Sequence, residues 1–150
     1  MQEFSLPSTG GQTFHWHDAR GKWLVVYFYP KDDTPGCTVE GSDFRDLHDG
    51  FERLGARIVG VSRDSLASHE RFKAKLGLPF ELLSDAEGTV CALFDVIHSK
   101  KMYGKDVVGI QRSTFLYDPS GTLVQEWRGV RSAGHAQEVL DQLKILAEKR

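Results

Sequence analysis

Apolar and polar positions along the chain predict strands that alternate with helices. An unbroken apolar run over residues 23–29, Trp-Leu-Val-Val-Tyr-Phe-Tyr, is typical of a strand buried on both faces. The segments 4–9 and 13–16 are expected to be extended, with the second paired to the strand that begins at Trp23. Shorter apolar segments predict the remaining strands, at residues 57–62, 80–83, 113–117 and 122–128.

Apolar residues spaced three and four apart predict the helices. One helix is expected to run from Cys37 to about Leu54, because Phe44, Leu47 and Phe51 share a face with Leu54. Further helices are predicted at residues 65–76, 86–94 and 133–147, and residues 98–111 are expected to be a loop. Alternating strands and helices with a late hairpin at 113–128 indicate an α/β fold with a mixed sheet, in a single domain over residues 1–150.

Composition and net charge limit the kinds of molecule that the chain is expected to bind and where it is expected to act. With 40% hydrophobic and 27% charged residues and a net charge of -2, the chain has the composition of a globular protein and no basic surface for nucleic acid. No apolar run is long enough to span a bilayer, and residues 1–11 do not resemble a secretory signal. Two cysteines are too few for a disulfide framework and suit a reducing compartment, so we expect a cytoplasmic protein.

Cys37 is the candidate reactive residue. It lies where the strand from Trp23 gives way, through a polar loop, to the first turn of a helix, and a helix N-terminus favours a negative charge. A thiol that is mostly ionised at neutral pH needs about 3.4 kcal/mol of thiolate stabilisation. Since a helix end supplies only about 0.3–2 kcal/mol, a cation or a further hydrogen bond is required. The hydroxyl of Thr34, one helical turn earlier, can donate to the thiolate or to an oxygen approaching it.

Cys37 and the histidines near the N-terminus each allow a second interpretation. Most cysteines with apolar neighbours are buried and inert, but the Pro-Gly turn directly before Cys37 and the polar loop before it disfavour that interpretation. His15 and His17 are spaced like a ligand pair on one strand. No third ligand stands nearby in the sequence, so we interpret them as surface residues and expect no metal or other cofactor.

The segment around Cys37 also resembles a known family. Residues 27–38, Tyr-Phe-Tyr-Pro-Lys-Asp-Asp-Thr-Pro-Gly-Cys-Thr, are similar to the active-site segment of the peroxiredoxins, and in particular of the bacterioferritin comigratory protein (peroxiredoxin Q) branch. The resemblance continues at residues 60–65, 77–85, 102–104 and 112–116, and so covers nearly the whole chain. It implies a thioredoxin-like fold and a thiol-dependent peroxidase without metal, haem or flavin, often monomeric.

The resemblance also implies roles for individual residues. Cys37 corresponds to the cysteine that attacks hydrogen peroxide or an organic hydroperoxide and becomes a sulfenic acid. Thr34 and Arg112 correspond to its activating partners, and Arg112 would be the required cation. Pro30 corresponds to a shield over the pocket, and Glu40 is expected to orient an arginine.

The chain departs from the family pattern in the second half of the cycle. Many members carry a second, resolving cysteine at positions that hold Ser42 or Lys73 here. Cys91 is the only other cysteine, and its apolar helix face indicates a packed, inert side chain. We therefore predict a one-cysteine mechanism with an outside thiol as reductant: thioredoxin, glutaredoxin or glutathione. The alternative is an atypical two-cysteine enzyme in which local unfolding brings Cys91 to Cys37.

Two other classes of protein use a cysteine at this position. A thioredoxin-type disulfide oxidoreductase needs Cys-x-x-Cys, and Thr34 occupies the place of the first cysteine. A redox sensor or chaperone-like protein would use the same Cys37 without turnover. It would consume about one peroxide per chain, whereas an enzyme supplied with reductant consumes many.

Overall fold

The protein is described by a computed structural model over residues 3–149, apart from the side chains of residues 100–102 and 107. The strands are β1 Ser5–Ser8, β2 Gln12–His15, β3 Trp23–Phe28, β4 Ala56–Ser62, β5 Glu81–Ser84, β6 Ile97–Met102, β7 Lys105–Ile110, β8 Ser113–Tyr117 and β9 Leu123–Arg128. The helices are α1 Pro35–Asp46, α2 His48–Arg53, α3 Leu66–Leu76, α4 Thr89–Leu93 and α5 His135–Glu148. Of these helices, none combines the length and the apolar character needed to cross a bilayer.

Within the described residues, the main sheet is mixed and has seven strands in the order β2-β1-β5-β4-β3-β8-β9. Strands β3, β4 and β5 run parallel, while the pairs β1/β2, β1/β5, β3/β8 and β8/β9 are antiparallel. Parallel neighbours are joined through helices and the antiparallel pair β8/β9 through a short turn. The predicted α/β architecture with a mixed sheet is confirmed.

Strand β3 lies inside the sheet, between β4 and β8, and all six of its residues are buried. Its side chains alternate, so Trp23, Val25 and Tyr27 face one apolar core and the residues between them face another. The first core packs against α1, α2, α3 and α5, and the second against α4 and the 3-10 turn Trp16–Ala19. Two separate cores result, one on each side of the sheet.

The single helix expected from residue 37 to residue 54 is wrong, because the chain forms two helices there. Leu47 separates α1 from α2 with φ -97° and ψ 1°, outside the α-helical region. A one-residue break hardly changes the three-and-four spacing, so Phe44 and Phe51 are both buried as the pattern predicts. Hydrophobic periodicity therefore located the apolar face but not the break.

The second extended segment pairs with a different strand from the one expected. Strand β2 is antiparallel to β1, with Phe14 opposite Leu6, and it does not pair with β3. Both edges of β3 are occupied, by β4 and β8. The 3-10 turn that begins at Trp16 leads the chain away from β2 before β3 starts.

The loop expected at residues 98–111 is instead a β-hairpin. Strands β6 and β7 form a separate two-stranded sheet in which Met102 is opposite Lys105. Tyr103 and Gly104 have φ of 54° and 76°, which is the conformation of the tight two-residue turns that match the twist of a hairpin. The usual sequence signal for such a turn is Asn-Gly or Asp-Gly. Tyr-Gly does not predict one, because a tyrosine rarely adopts positive φ.

Candidate active site

Cys37 lies in the first turn of α1, as predicted. Pro35 occupies the first helical position, where its missing N–H costs nothing, and Thr34 before it is extended, with φ -96° and ψ 157°. The first N–H groups of a helix have no acceptor within the helix and face the space in front of it. Cys37 is only 2% exposed, so the sulfur is buried rather than on the surface.

Arg112 reaches the sulfur from the neighbouring strand. Ser113 of β8 is opposite Phe28 of β3, and this register places the preceding residue, Arg112, beside the end of β3 from which the loop to α1 departs. Its Nη2 lies 3.5 Å from Cys37 Sγ, and its Nη1 donates to Glu40 Oε1 at 2.6 Å. The guanidinium thus joins two side chains on the same face of α1.

Gly36 leaves room for this arrangement. A Cβ atom at this position would lie 3.0 Å from Arg112 Nη2 and 3.5 Å from Ser132 Oγ. The backbone of Val130 donates to the Arg112 carbonyl at 3.1 Å, so the segment after β9 also holds the arginine in place. The close approach of arginine and thiol therefore depends on the missing side chain at residue 36.

The Glu40 carboxyl is fully buried beside the arginine. Burial raises the pKa of Glu40 from its ordinary value of 4.5 to about 7, against the opposing effect of Arg112. Its second oxygen, Oε2, and the Tyr27 hydroxyl are buried, and neither has a hydrogen-bond partner among the residues that the structure describes. Burial also works against the charge of Arg112, but Glu40 and Cys37 outweigh it and raise the Arg112 pKa, so the guanidinium stays charged.

The structure brings together three of the five predicted site residues: Cys37, Arg112 and Glu40. The Thr34 hydroxyl was expected to donate to the sulfur or to an oxygen approaching it. In the structure it donates to the Lys31 carbonyl at 2.8 Å. Pro30 directly follows the buried Tyr29 and is exposed. Both residues lie in the loop that leads to Cys37.

His135 is a buried polar neighbour of this site that sequence reasoning did not single out. Its Nε2 lies 2.8 Å from Thr114 Oγ1, and its Nδ1 lies 2.9 Å from Glu138 Oε1. Burial lowers the pKa of His135, and the charge of Arg112 lowers it further, against the effect of Glu138. One histidine in the first turn of a helix has no spacing pattern, so no signal in the sequence could have identified it.

Cys91 is placed on the other side of the sheet. It is fully buried in the core that contains Phe94, whereas Cys37 belongs to the core that contains Phe44. Both thiols are free. Burial raises the pKa of Cys91, and the Asp85 carboxylate raises it further. The prediction of a packed cysteine is confirmed, and such a thiol is a poor nucleophile at neutral pH.

Comparison with known proteins identifies close relatives. Residues 1–126 match the AhpC/TSA family. The chain is 53% identical to peroxiredoxin Bcp of Xanthomonas campestris over 148 residues, covering 97% of this chain and 92% of that protein. It is 49% identical to peroxiredoxin Bcp of Bacillus subtilis, with coverage of 98% and 94%.

Solved structures give the same result. The Xanthomonas campestris bacterioferritin comigratory protein, which was studied for alkyl peroxide reduction, superposes with a TM-score of 0.91 at 53% identity, covering 96% of this chain and 92% of that one. A cysteine-to-serine mutant of Xylella fastidiosa PrxQ gives 0.92 at 47% identity, with coverage of 96% and 89%. AhpC of Enterococcus faecalis, at 21% identity and a TM-score of 0.82, shares the fold. These similarities confirm the predicted thioredoxin-like fold.

Proposed function

The chain belongs to the AhpC/TSA family of peroxiredoxins, and from this premise we propose that Cys37 is the residue through which it reduces peroxides. The family consists of thiol-dependent peroxidases, and this protein is one of them. The observation that supports the assignment to Cys37 is the 3.5 Å distance from its sulfur to the Arg112 guanidinium, in the first turn of α1.

In the proposed reaction the Cys37 thiolate attacks the terminal oxygen of a peroxide, either hydrogen peroxide or an organic hydroperoxide. The S–O bond forms as the O–O bond breaks, and the sulfur is oxidised to a sulfenic acid. The leaving oxygen takes up a proton and departs as water or an alcohol. Two thiol groups from a reductant then complete the cycle: the first forms a mixed disulfide and releases water, and the second releases the Cys37 thiol.

The charge that develops on the two peroxide oxygens needs donors aimed at it. Arg112 supplies a cation with several N–H donors, and the Cys37 backbone N–H at the helix start supplies another. The Thr34 hydroxyl is the third donor of the proposal, and it would turn from the Lys31 carbonyl to the bound peroxide. Pro30 shields the pocket from water, and Glu40 holds the guanidinium through Nη1.

We further propose that the sulfenic acid is reduced by an outside thiol rather than by Cys91. The two cysteines lie in cores on opposite sides of the sheet, and a disulfide needs Cα atoms within about 7 Å. Thioredoxin, glutaredoxin or a low-molecular-weight thiol such as glutathione would serve, since each forms a mixed disulfide with an accessible sulfenic acid.

The proposal includes a monomer in the cytoplasm. Large apolar side chains that are at least two-fifths exposed lie on separate elements of the described structure, as single residues on α1, α4, α5, β7, β9 and the hairpin turn. Isolated apolar residues of this kind are normal for a monomer. Two unpaired cysteines suit a reducing compartment.

The test is intact-protein mass after the reduced protein is mixed with one equivalent of hydrogen peroxide, with and without dimedone. We expect a dimedone adduct that maps to Cys37 and is absent from Cys37→Ser. Loss of two hydrogens with no adduct would mean that Cys91 resolves the sulfenic acid. Peroxide turnover with excess reductant then separates an enzyme from a sensor, because a sensor stops after about one equivalent. Retained turnover in Cys37→Ser would overturn the assignment.

A further inference from the structure

A buried histidine of α3 lies next to the loop that leads to Cys37. His69 is completely buried, on the face of α3 that packs toward the sheet. Its Nδ1 lies 2.7 Å from Asp32 Oδ2, and its Nε2 lies 2.9 Å from the Leu83 carbonyl of β5. Asp32 belongs to the loop between β3 and α1, which leads to Cys37.

The two shortest polar contacts of this imidazole are with acceptors. The third joins Nδ1 to the Tyr29 hydroxyl at 3.4 Å, and that hydroxyl donates its hydrogen to Asp32 Oδ1. A carbonyl oxygen only accepts, so Nε2 must carry a hydrogen. Burial works to raise the pKa of Asp32, but hydrogen bonds from His69, Tyr29 and Ser68 outweigh it and hold that pKa below its ordinary value. The Tyr29 and Ser68 hydroxyls donate to the two carboxylate oxygens whatever the charge of His69. The ionised carboxylate also only accepts, so Nδ1 must carry a hydrogen as well. An imidazole with hydrogens on both nitrogens is a cation.

The carboxylate of Asp32 is the centre of a larger set of hydrogen bonds. Tyr29, at the end of β3, donates its hydroxyl to Oδ1 at 2.6 Å, and Ser68 of α3 donates to Oδ2 at 2.8 Å. The backbone N–H of Asp32 donates to Asp64 Oδ2 at 2.9 Å. Through these contacts the middle of the loop is held to β3, to α3 and to the segment that follows β4.

The position of Asp32 constrains the rest of the loop. Asp33 has φ of 60°, an unfavourable conformation for a residue with a side chain, and the next residue, Thr34, begins the turn into α1. Only four residues separate Asp32 from Cys37. A change in the position of Asp32 would therefore be passed directly to Thr34 and to the sulfur.

We propose that His69 is a positioning residue for the peroxidase reaction: as a buried imidazolium it holds Asp32, and through Asp32 it fixes the loop that places Thr34 and Cys37. This inference rests on the proposed role of Cys37. It adds a positively charged group on α3 that never touches the peroxide but decides where the first turn of α1 begins.

A metal site at the same place does not fit the geometry. Ligand oxygens of Asp32 and Asp64 and a ring nitrogen of His69 lie within 4.8 Å of one another. A metal ligand must be a neutral imidazole that offers a lone pair, whereas both His69 nitrogens face acceptors. Asp64 also accepts hydrogen bonds, from Ser62 Oγ at 2.5 Å and from the backbone of Asp32.

The charge of His69 can be measured on the wild-type protein. A long-range ¹H–¹⁵N spectrum of histidine-labelled protein, recorded at the pH of the activity assay, reports the hydrogens on each ring nitrogen. We expect both His69 nitrogens to have the shifts of protonated nitrogens, with the signals assigned by their loss in His69→Gln. A His69 signal with one unprotonated nitrogen would overturn the proposal, whatever the activity of the enzyme.

The positioning role is tested by kinetics. We expect His69→Gln and Asp32→Asn each to lower the second-order rate constant of Cys37 with hydrogen peroxide by about ten- to a hundredfold, because small displacements of a reacting group are costly. The rate is measured well below the melting temperature, where the variants are folded. His48→Gln, which removes a histidine of α2 that pairs with Glu52 on the surface, should leave the rate unchanged.

The double variant distinguishes positioning from general damage. If His69 acts only through Asp32, the losses in the two single variants will not add in His69→Gln/Asp32→Asn. Losses that add in full, or a wild-type rate in His69→Gln, would overturn the proposal. Failure of the Cys37 assignment has a different signature, because it would appear as turnover in Cys37→Ser and would leave the nitrogen spectrum of His69 unaffected.

Discussion

Arg112 Nη2 lies 3.5 Å from the sulfur of Cys37, although the two residues are 75 positions apart in the sequence. The antiparallel pairing of β3 with β8 produces this proximity, since it places the residue before Ser113 at the end of β3. The Arg112 side chain is 14% exposed, and its guanidinium also donates to the fully buried Glu40. The cation needed to stabilise a thiolate is therefore supplied by sheet register rather than by the segment around the cysteine.

Replacing Arg112 tests whether its positive charge promotes the reaction of Cys37 with peroxide. Arg112→Ala is expected to lower the rate constant of Cys37 with hydrogen peroxide by about 100- to 1000-fold, because a positioned donor to the developing charge is lost. Arg112→Lys should recover only part of the rate, since an ammonium cannot hold the fork geometry that joins Glu40 and the sulfur. Stopped-flow measurement of peroxide consumption gives both values.

The matched control for this pair is Arg53→Ala, which removes an exposed arginine from the end of α2. It should leave the rate constant unchanged. An Arg112→Ala protein that is folded and reacts at the wild-type rate would contradict the role of the guanidinium.

Gly36→Ala is expected to impair the reaction without destabilising the fold. Alanine favours a helical position more than glycine, so the free energy of unfolding should stay the same or rise. Its Cβ would lie 3.0 Å from Arg112 Nη2 and would push the guanidinium away from the sulfur. We expect a loss of about tenfold in the rate constant with peroxide.

Gly109→Ala is the comparison for that variant, because a Cβ at Gly109 meets no atom of the described side chains or backbone within 4 Å. Peroxide kinetics and urea unfolding of the two glycine variants separate the effects. A Gly36→Ala protein that keeps the wild-type rate would show that the arginine adjusts without consequence for the reaction.

The sequence was sufficient for the strand that carries the loop and for the placement of Cys37. The buried run from Trp23 and the Pro-Gly turn are local signals, and the structure contains the strand, the loop and the helix they predict. Arg112 was identified only through the family resemblance. Its contact with Cys37 depends on strand register, which is a long-range property that local sequence patterns do not show.

The contacts that the sequence did not predict are not marked by any local sequence pattern. His69 and His135 are single histidines within helices, and only the packed structure shows that each meets acceptors or a hydroxyl from other elements. The Thr34 hydroxyl donates to the Lys31 carbonyl because a backbone acceptor three residues away competes for it. The turn at Tyr103 was likewise hidden, since a tyrosine at positive φ is uncommon.

Removing the second cysteine tests the one-cysteine cycle. Cys91→Ala is expected to keep steady-state peroxide turnover within about twofold of wild type with an outside thiol as reductant, because Cys91 lies across the sheet from Cys37. Alanine is preferred to serine because the site is fully buried and an unpaired hydroxyl there is costly. A large loss of turnover with intact sulfenic acid formation would instead assign Cys91 as the resolving cysteine.

The carboxyl of Glu40 predicts a dependence of stability on pH. Its pKa is about 7 in the folded protein and near its ordinary value of 4.5 once the chain unfolds. Between these values the folded state holds one proton that the unfolded state has released, so the free energy of unfolding falls as pH rises. The fall attributable to Glu40 is about 3 kcal/mol from pH 4.5 to 7 and is complete above that range.

Glu40→Gln isolates this contribution, because glutamine keeps an oxygen for Arg112 but does not ionise. Urea unfolding at several pH values from about 4.5 to 8 should show the wild type losing about 3 kcal/mol relative to Glu40→Gln as pH rises, while the other titrating groups cancel in the difference. Glu87→Gln, at an exposed glutamate, should show no such trend. A difference between wild type and Glu40→Gln that is constant across the range would mean that Glu40 is ionised throughout in the folded protein. In that case the Arg112 guanidinium would face a full negative charge from Glu40 across the whole range.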